Sequence, residues 1–298
     1  MSPTNHRDTA QLQGSGQSGA AFEGRAYPLF VDPQARPCFR IERGRSAHRV
    51  LLTSIPKSGT YLFGELFRKL GFVDAGIHIE GRGGNSFTDY RFTSLSDARQ
   101  NPHLEPISLP LARTLGLILP GQYVVSHLQV TDDLPSSVLA GFKVAFACSN
   151  LRDCLVSLML FLIRTASGSG AVAPLLKIER DEQRTLFMLR HYGEQFLEEA
   201  SLVMNILKRT DVLRLKFEDA VNSHDEPARA GFMKRIVEFL DLDVDDTRLI
   251  GILNETLGAN TMTRSAQPTS IERYWSPEAE REFARMGGCD LNCRLGYQ

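Results

Sequence analysis

One stretch constrains the fold of this chain more than any other. Leu51-Leu52-Thr53-Ser54-Ile55-Pro56-Lys57-Ser58-Gly59-Thr60 runs straight into Tyr61-Leu62-Phe63-Gly64-Glu65-Leu66-Phe67-Arg68-Lys69-Leu70. An apolar run of strand length ends in a short polar loop. The loop opens an amphipathic helix whose Phe63, Leu66, Phe67 and Leu70 recur at i, i+3, i+4 and i+7. A helix start presents unpaired N–H groups and the positive end of the helix dipole, so this corner is a ready anion site. Gly59 lets the backbone approach an anion with no side chain in the way. Lys57 adds a mobile positive charge, and Ser58 and Thr60 add hydroxyl donors. The expected ligand carries a phosphate.

The residue order differs from the G-x-x-x-x-G-K-[ST] loop of nucleotide triphosphatases, in which the lysine follows the last glycine. Here Lys57 precedes Gly59, and Pro56 precedes Lys57. Further strand-like runs at 48–53, 123–126, 141–148 and 212–217 alternate with helical patterns that begin near Thr60, Arg152, Glu179 and Arg229. The last of these carries Phe232, Ile236, Phe239 and Leu240 on one stripe. This alternation predicts an α/β fold: one domain over residues 25–298, with a mostly parallel central sheet, a P-loop-like strand–loop–helix and helices on both faces. Residues 1–24, dominated by Gln, Ser and Gly, read as a disordered N-terminal tail. Three segments interrupt the alternation and read as long loops: 74–110 with its Gly81-Arg82-Gly83-Gly84-Asn85 cluster, 165–174, and 257–276. Long loops in a compact domain are commonly functional. In an open parallel sheet they gather beyond the carboxyl ends of the strands, where ligands bind.

Composition narrows the function classes. The chain has 298 residues, 42% of them hydrophobic and 23% charged, as in an ordinary globular protein. A formal net charge of −1 gives none of the global basic field of a nucleic-acid binder. No run approaches the roughly 18 apolar residues of a membrane span. Residues 1–24 lack the apolar core of a signal peptide, so a cytoplasmic location is expected. The five cysteines (Cys38, Cys148, Cys154, Cys289, Cys293) lack paired C-x-x-C spacing, and no histidine completes a zinc set beside Cys289 and Cys293. Free thiols and no metal are the expectation.

Two more corners carry candidate chemistry. Tyr123-Val124-Val125-Ser126-His127-Leu128 puts His127 at or just past the end of an apolar strand, where parallel strands converge on one crevice. A histidine titrates near neutrality and suits general-base duty there, although a lone histidine is also commonly a hydrogen-bonded structural residue. Val144-Ala145-Phe146-Ala147-Cys148-Ser149-Asn150-Leu151-Arg152-Asp153 is a second strand–loop–helix, with Ser157 about one and a half turns after Arg152. Arg152 and Asp153 equally fit a solvated helix start, and Ser157 a small residue at a packed surface.

Taken in order, these segments resemble the cytosolic-type, nucleotide-dependent sulfotransferases, with a bacterial member expected. That family has a P-K-S-G-T loop for the 5′-phosphosulfate of its donor, then a histidine at a strand end. An R-[ND]-P-x-D-x-x-x-S-like segment for the 3′-phosphate follows, and then a Y-E-D-type strand end. The corresponding residues are 56–60, Ser126-His127, 149–157 and Phe217-Glu218-Asp219. Tyr274-Trp275-Ser276 through Leu295-Gly296-Tyr297 is similar to the family's C-terminal helix and tail, so the resemblance spans about residues 48–297.

The resemblance implies sulfuryl transfer from 3′-phosphoadenylyl sulfate (PAPS) as co-substrate to an acceptor hydroxyl, with adenosine 3′,5′-bisphosphate (PAP) as product and no metal. His127 would be the base. Lys57 would contact the bridging oxygen and the transferring group. Ser58, Gly59, Thr60 and Tyr61 would cradle the 5′-phosphate, and Ser157 would bind the 3′-phosphate. The sequence departs from the pattern at four positions. Ser149 stands where the 3′-phosphate arginine is usual, so that Arg152 or Arg264 would supply the charge. Val125 replaces a lysine two residues before the histidine, Leu62 a tryptophan of the adenine pocket, and Phe217 the tyrosine before E-D. Phe217 can still pack on a base. The alternatives are an atypical P-loop kinase, opposed by the lysine order, and a catalytically degenerate nucleotide-binding protein of the same fold. Phe87, Tyr90 and Phe92 would suit an aromatic or lipid-like acceptor, and Arg82 and Arg91 an acidic one. Small-molecule, glycan and lipid hydroxyls all stay open, and family analogy favours a homodimer.

Overall fold

Runs of alternating and consecutive apolar residues give this chain strands buried on both faces, the pattern of a sheet sandwiched between helices. The computed structural model describes residues 27–28, 40–41, 44, 46–91, 106–165, 173–221, 225–259 and 271–298. The expected tail at 1–24, Cys38, Phe92 and Arg264 lie outside the described residues, as do the central parts of the three expected loops. Strands β1 (Tyr27–Pro28) and β2 (Arg40–Ile41) form a separate antiparallel pair. The main sheet has seven strands: β3 (Arg49–Ser54), β4 (Val73–Glu80), β5 (Ser86–Asp89), β6 (Ile107–Ser108), β7 (Gln122–Ser126), β8 (Phe142–Cys148) and β9 (Val212–Lys216). Their order is β6-β5-β4-β7-β3-β8-β9.

β3 lies at the centre, parallel to β7 with Thr53 beside Ser126, and parallel to β8 with Ser54 beside Ala147. β4 is parallel to β7 and β9 to β8, while β5 and β6 extend the sheet antiparallel beyond β4. Side chains alternate between the faces at the strand period of two. Leu51, Val124, Val144, Phe146 and Cys148 enter one core, against the helices Leu151–Thr165, Glu194–Met204, Pro277–Arg285 and Gly288–Arg294. Val50, Leu52, Val125, Ala145 and Ala147 enter the other, against Thr60–Lys69, Glu226–Phe239 and Asp246–Leu257. The helix after β3 therefore covers one face and the helix after β8 covers the opposite face. That reversal opens a crevice at the carboxyl ends of β3 and β8.

The structure corrects one expectation. The segment expected as a loop from residue 74 to 110 contains β4, β5 and β6. β4 carries the period-two pattern of a half-buried strand: Ala75, Ile77 and Ile79 alternate with Asp74, Gly76, His78 and Glu80 and enter one core. Its pairing with β7 shifts register between Asp74 and His78, around Gly76 at φ 67°. Asp74 has its own partners, accepting from Gly76 N at 2.8 Å and from Tyr123 Oη at 3.1 Å. The sheet is thus mixed, with its parallel part where it was expected.

Phe146 of β8 is fully buried beneath the crevice, whereas Ile107 on the edge strand β6 is 44% exposed. Phe146→Ala is expected to cost about 3–5 kcal/mol, and Ile107→Thr less than about 0.5 kcal/mol. Urea unfolding midpoints of the two variants check the pair.

Candidate active site

The loop after β3 is shaped by its own hydroxyl and two left-handed residues. Lys57 has φ 70° and Gly59 has φ 87°. A Cβ on Gly59 would lie 2.6 Å from Cδ2 of Phe217, so the absence of a side chain lets that ring pack on the loop. Ser58 is fully buried, and its Oγ donates to the carbonyls of Ile55 (2.7 Å) and Ala147 (3.1 Å). Its hydroxyl therefore ties the loop to β8 across the crevice. The helix Thr60–Lys69 follows at once, with Leu62 N and Phe63 N donating to Gly59 O. The N–H groups of Gly59, Thr60 and Tyr61 have no partner among the described residues. Together with the helix dipole they form a seat for an anion.

Lys57 belongs to the same loop and reaches the helix after β8. Its Nζ lies 4.2 Å from the centroid of the Phe161 ring, and the Arg164 guanidinium lies 5.6 Å from the same centroid. Ser157, Phe161 and Arg164 follow one another at i, i+4 and i+7 along Leu151–Thr165 and so share a helix face. Burial, and then the charge of Arg164, push Lys57 down to about 8. A cation held on an aromatic face and short of counter-charge gains from any anion that arrives beside it.

His127 is fixed by the backbone on both sides. Its N–H donates to Ile79 O at 2.8 Å, and its Nδ1 lies 2.8 Å from Ser54 O. A carbonyl only accepts, so Nδ1 carries the proton and Nε2 keeps the lone pair. Burial, the neighbouring His78 and the Lys57 charge hold His127 down at about 3, against opposing contributions from the Ser54 carbonyl and Glu80. His78, on β4, is packed against it with ring centroids 4.7 Å apart. Burial holds His78 at about 4. Its Nδ1 pairs with Tyr61 Oη at 3.1 Å, and its Nε2 is buried without a partner among the described residues. Both imidazoles are neutral at pH 7.

The second corner is closed by the protein itself. Glu218 accepts from Ser149 Oγ (2.6 Å), Asn150 N (3.1 Å) and Tyr297 Oη (2.5 Å). Leu151 N donates to Asn292 Oδ1 at 2.9 Å, and Arg152 N donates to Asn150 Oδ1 at 3.0 Å. The Arg152 guanidinium is bound in a fork by Glu280, at 2.8 and 2.6 Å, and lies over the Phe283 ring. Trp275 Nε1 donates to the same carboxylate at 2.7 Å, and these bonds hold Glu280 at about 2. Asp153 is pushed up to about 6 by burial and the charges of Glu218 and Glu272.

Of the residues singled out from sequence, Lys57, Ser58, Gly59, Thr60, Tyr61, His127 and Phe217 come together around the β3 loop. Ser157 joins them on the helix face that carries Phe161. Arg152 does not: its fork is spent on the C-terminal helices, because Glu280 offers a carboxylate of matching geometry. Four residues of the site escaped sequence reasoning: Ser54, His78, Phe161 and Arg164. Phe161 and Arg164 follow from counting helical turns on from Ser157. A polar residue at the last position of an apolar strand was the available signal for Ser54. For His78 the signal was the alternation of Ala75, Ile77 and Ile79 around it, which marks a strand. Among the described residues, no group of three or more His, Cys, Asp or Glu is placed to hold a metal ion. None of the described helices is long and apolar enough to cross a membrane.

No protein-family model matches the chain, and no curated protein matches it. Several solved structures are similar to it. Mouse sulfotransferase SULT7A1 complexed with PAP is 15% identical, over 82% of this chain and 84% of that one, with a TM-score of 0.49. Retinol dehydratase in complex with androsterone and inactive cofactor PAP is 14% identical, over 91% and 90%, with a TM-score of 0.47. Sulfotransferase STF9 from Mycobacterium avium is 12% identical, over 82% and 76%, with a TM-score of 0.40.

Both buried histidines lie below the ordinary value of 6.5, so between about 6.5 and 4 the unfolded chain binds more protons than the folded one. Their contribution to stability is complete above about 6.5 and is lost as the pH falls through that window. His78→Phe removes one of the two sites. Urea midpoints measured from pH 7 to pH 4 are expected to fall less steeply for this variant than for the wild type.

Proposed function

We propose that this chain is a sulfotransferase that moves a sulfuryl group from 3′-phosphoadenylyl sulfate to an acceptor hydroxyl. One observation carries the reading. A histidine whose free lone pair is fixed at Nε2 stands at the same sheet edge as an anion seat on the loop that carries Lys57. The 5′-phosphate occupies the N–H groups of Gly59, Thr60 and Tyr61. The acceptor oxygen gives its proton to His127 Nε2 and attacks sulfur in line with the bond to the leaving phosphate oxygen. The new O–S bond forms as the old one breaks, and adenosine 3′,5′-bisphosphate leaves with the electron pair. Lys57 stabilises the charge that develops on the leaving oxygen, a type of contribution that is commonly the largest in polar transfers. Phe217 packs on the base, Ser157 meets the 3′-phosphate, and Arg264 supplies the positive charge that Arg152 does not. Ser58 shapes the loop. Positioning and charge stabilisation suffice for such a transfer without a bridging metal. The acceptor is a small-molecule, glycan or lipid hydroxyl, met in the cytoplasm.

One observation favours a second reading, a nucleotide-binding protein of this fold without transfer activity. Ser149 and Glu218 occupy each other on the 3′ side, and Arg152 is taken by Glu280. Transfer of radiolabelled sulfuryl groups into extracts of the source organism separates the two. His127→Ala is expected to lower that transfer about 10²–10⁴-fold, while calorimetry still detects binding of adenosine 3′,5′-bisphosphate. Lys57→Ala is expected to weaken both. Near-wild-type transfer by His127→Ala would remove His127 as the base.

A further inference from the structure

Ser54 is fully buried at the end of β3 and stands between the anion seat and the base. Its Oγ lies 2.6 Å from Thr60 Oγ1, 3.2 Å from His127 Nδ1 and 3.4 Å from Ser126 O. Nδ1 carries the imidazole proton, so it faces both oxygens of Ser54, the carbonyl at 2.8 Å and the hydroxyl at 3.2 Å. The short contact to Thr60 can run in two directions. Thr60 is the donor only if Ser54 turns its own proton to the Ser126 carbonyl, 3.4 Å away. Alternatively Ser54 donates to Thr60, and Thr60 then has a proton to give outward. Thr60 is the first residue of the helix that opens at the anion seat. An anion there accepts that proton and selects the second direction.

We propose that Ser54 is a positioning residue that couples donor binding to the strength of the base. Bonds then run one way, from His127 Nδ1–H to Ser54 Oγ–H, to Thr60 Oγ–H, to the bound phosphate. Each bond in such a chain polarises the next. The phosphate charge thereby draws on the Nδ1 proton and makes Nε2 more basic. Burial, His78 from β4 and Lys57 from the loop make His127 a weak base, while the Ser54 carbonyl and Glu80 from β4 oppose them. The base is strengthened once the donor is seated, which disfavours proton abstraction before there is a sulfuryl group to receive the oxygen. This inference rests on the reading of the 56–60 loop as the donor phosphate site.

Histidine-labelled protein tests it by NMR, with the His127 resonances assigned through His127→Gln. Adenosine 3′,5′-bisphosphate and inorganic phosphate are the probes, and calorimetry measures their binding separately. Saturating adenosine 3′,5′-bisphosphate is expected to raise the His127 pKa by about one unit, a tenfold gain in basicity. Ser54→Ala is expected to bind the same probe and lose most of that shift, and Ser54→Thr to restore it. Thr60→Val, which cuts the chain at its outer end, is expected to behave as Ser54→Ala does, and it serves if that variant does not fold. An equal shift in wild type and Ser54→Ala would show a through-space field and overturn the relay. So would tight binding with no shift in the wild type. Binding of neither probe would instead overturn the donor-site reading itself, and the relay with it.

Discussion

The parallel pairing of β3 with both β7 and β8 holds the candidate site together. It sets Thr53 beside Ser126 and Ser54 beside Ala147, so that three strand ends finish side by side. The Ser58 hydroxyl can then reach the Ala147 carbonyl, and the His127 ring can reach the Ser54 carbonyl. A shift of one residue in either register would turn alternate side chains to the opposite face and break both contacts. The arrangement of the candidate site is therefore a by-product of strand register, which the two apolar cores enforce from opposite sides of the sheet.

Burial gives the site its electrostatic character. It depresses Lys57, His78 and His127 together; Arg164 lowers Lys57 further, and His78 and Lys57 lower His127 further. Such a site is short of negative charge. An anion that enters relieves the desolvation of Lys57, fills the free N–H groups of the helix start, and changes the surroundings of the base. The acidic corner around Glu218 is the opposite case. Its donors, Ser149, Asn150 N and Tyr297, are already satisfied by a carboxylate. The two strand–loop–helix corners look alike in sequence and differ in chemistry because one is left open and the other is closed by the protein's own side chains.

Much of the fold was legible because its signals are local. The helix after β3 announces itself by Phe63, Leu66, Phe67 and Leu70, the runs at β3, β7 and β8 by consecutive apolar residues, and β9 by Leu213 and Leu215 alternating with Arg214 and Lys216. β4, expected as loop, was legible by the strand rule, with Ala75, Ile77 and Ile79 at every second position. What the sequence did not hold is its register shift against β7 around Gly76 and the distant partners of its polar residues, such as Tyr123 for Asp74. Arg152 shows the same limit at the site. Its position at a helix start was correct, but its partner Glu280 lies 128 residues away.

The sequence alone determined the strand–loop–helix at residues 51–70, the alternation that produces an α/β sheet, and the residue types of an anion seat: a lysine, a glycine and hydroxyls at fixed spacing. These follow from local geometry, where neighbours in the chain are neighbours in space. Only the tertiary structure decided which of those groups are free to act. Ser58 is spent on two carbonyls, Arg152 on Glu280 and Ser149 on Glu218. His127 has its proton fixed at Nδ1 by Ser54, and His78 comes against it from β4, a segment far from it in the chain. A hydrogen-bonding group has few bonds to give, and the partner that takes them is chosen by packing between segments far apart in the chain.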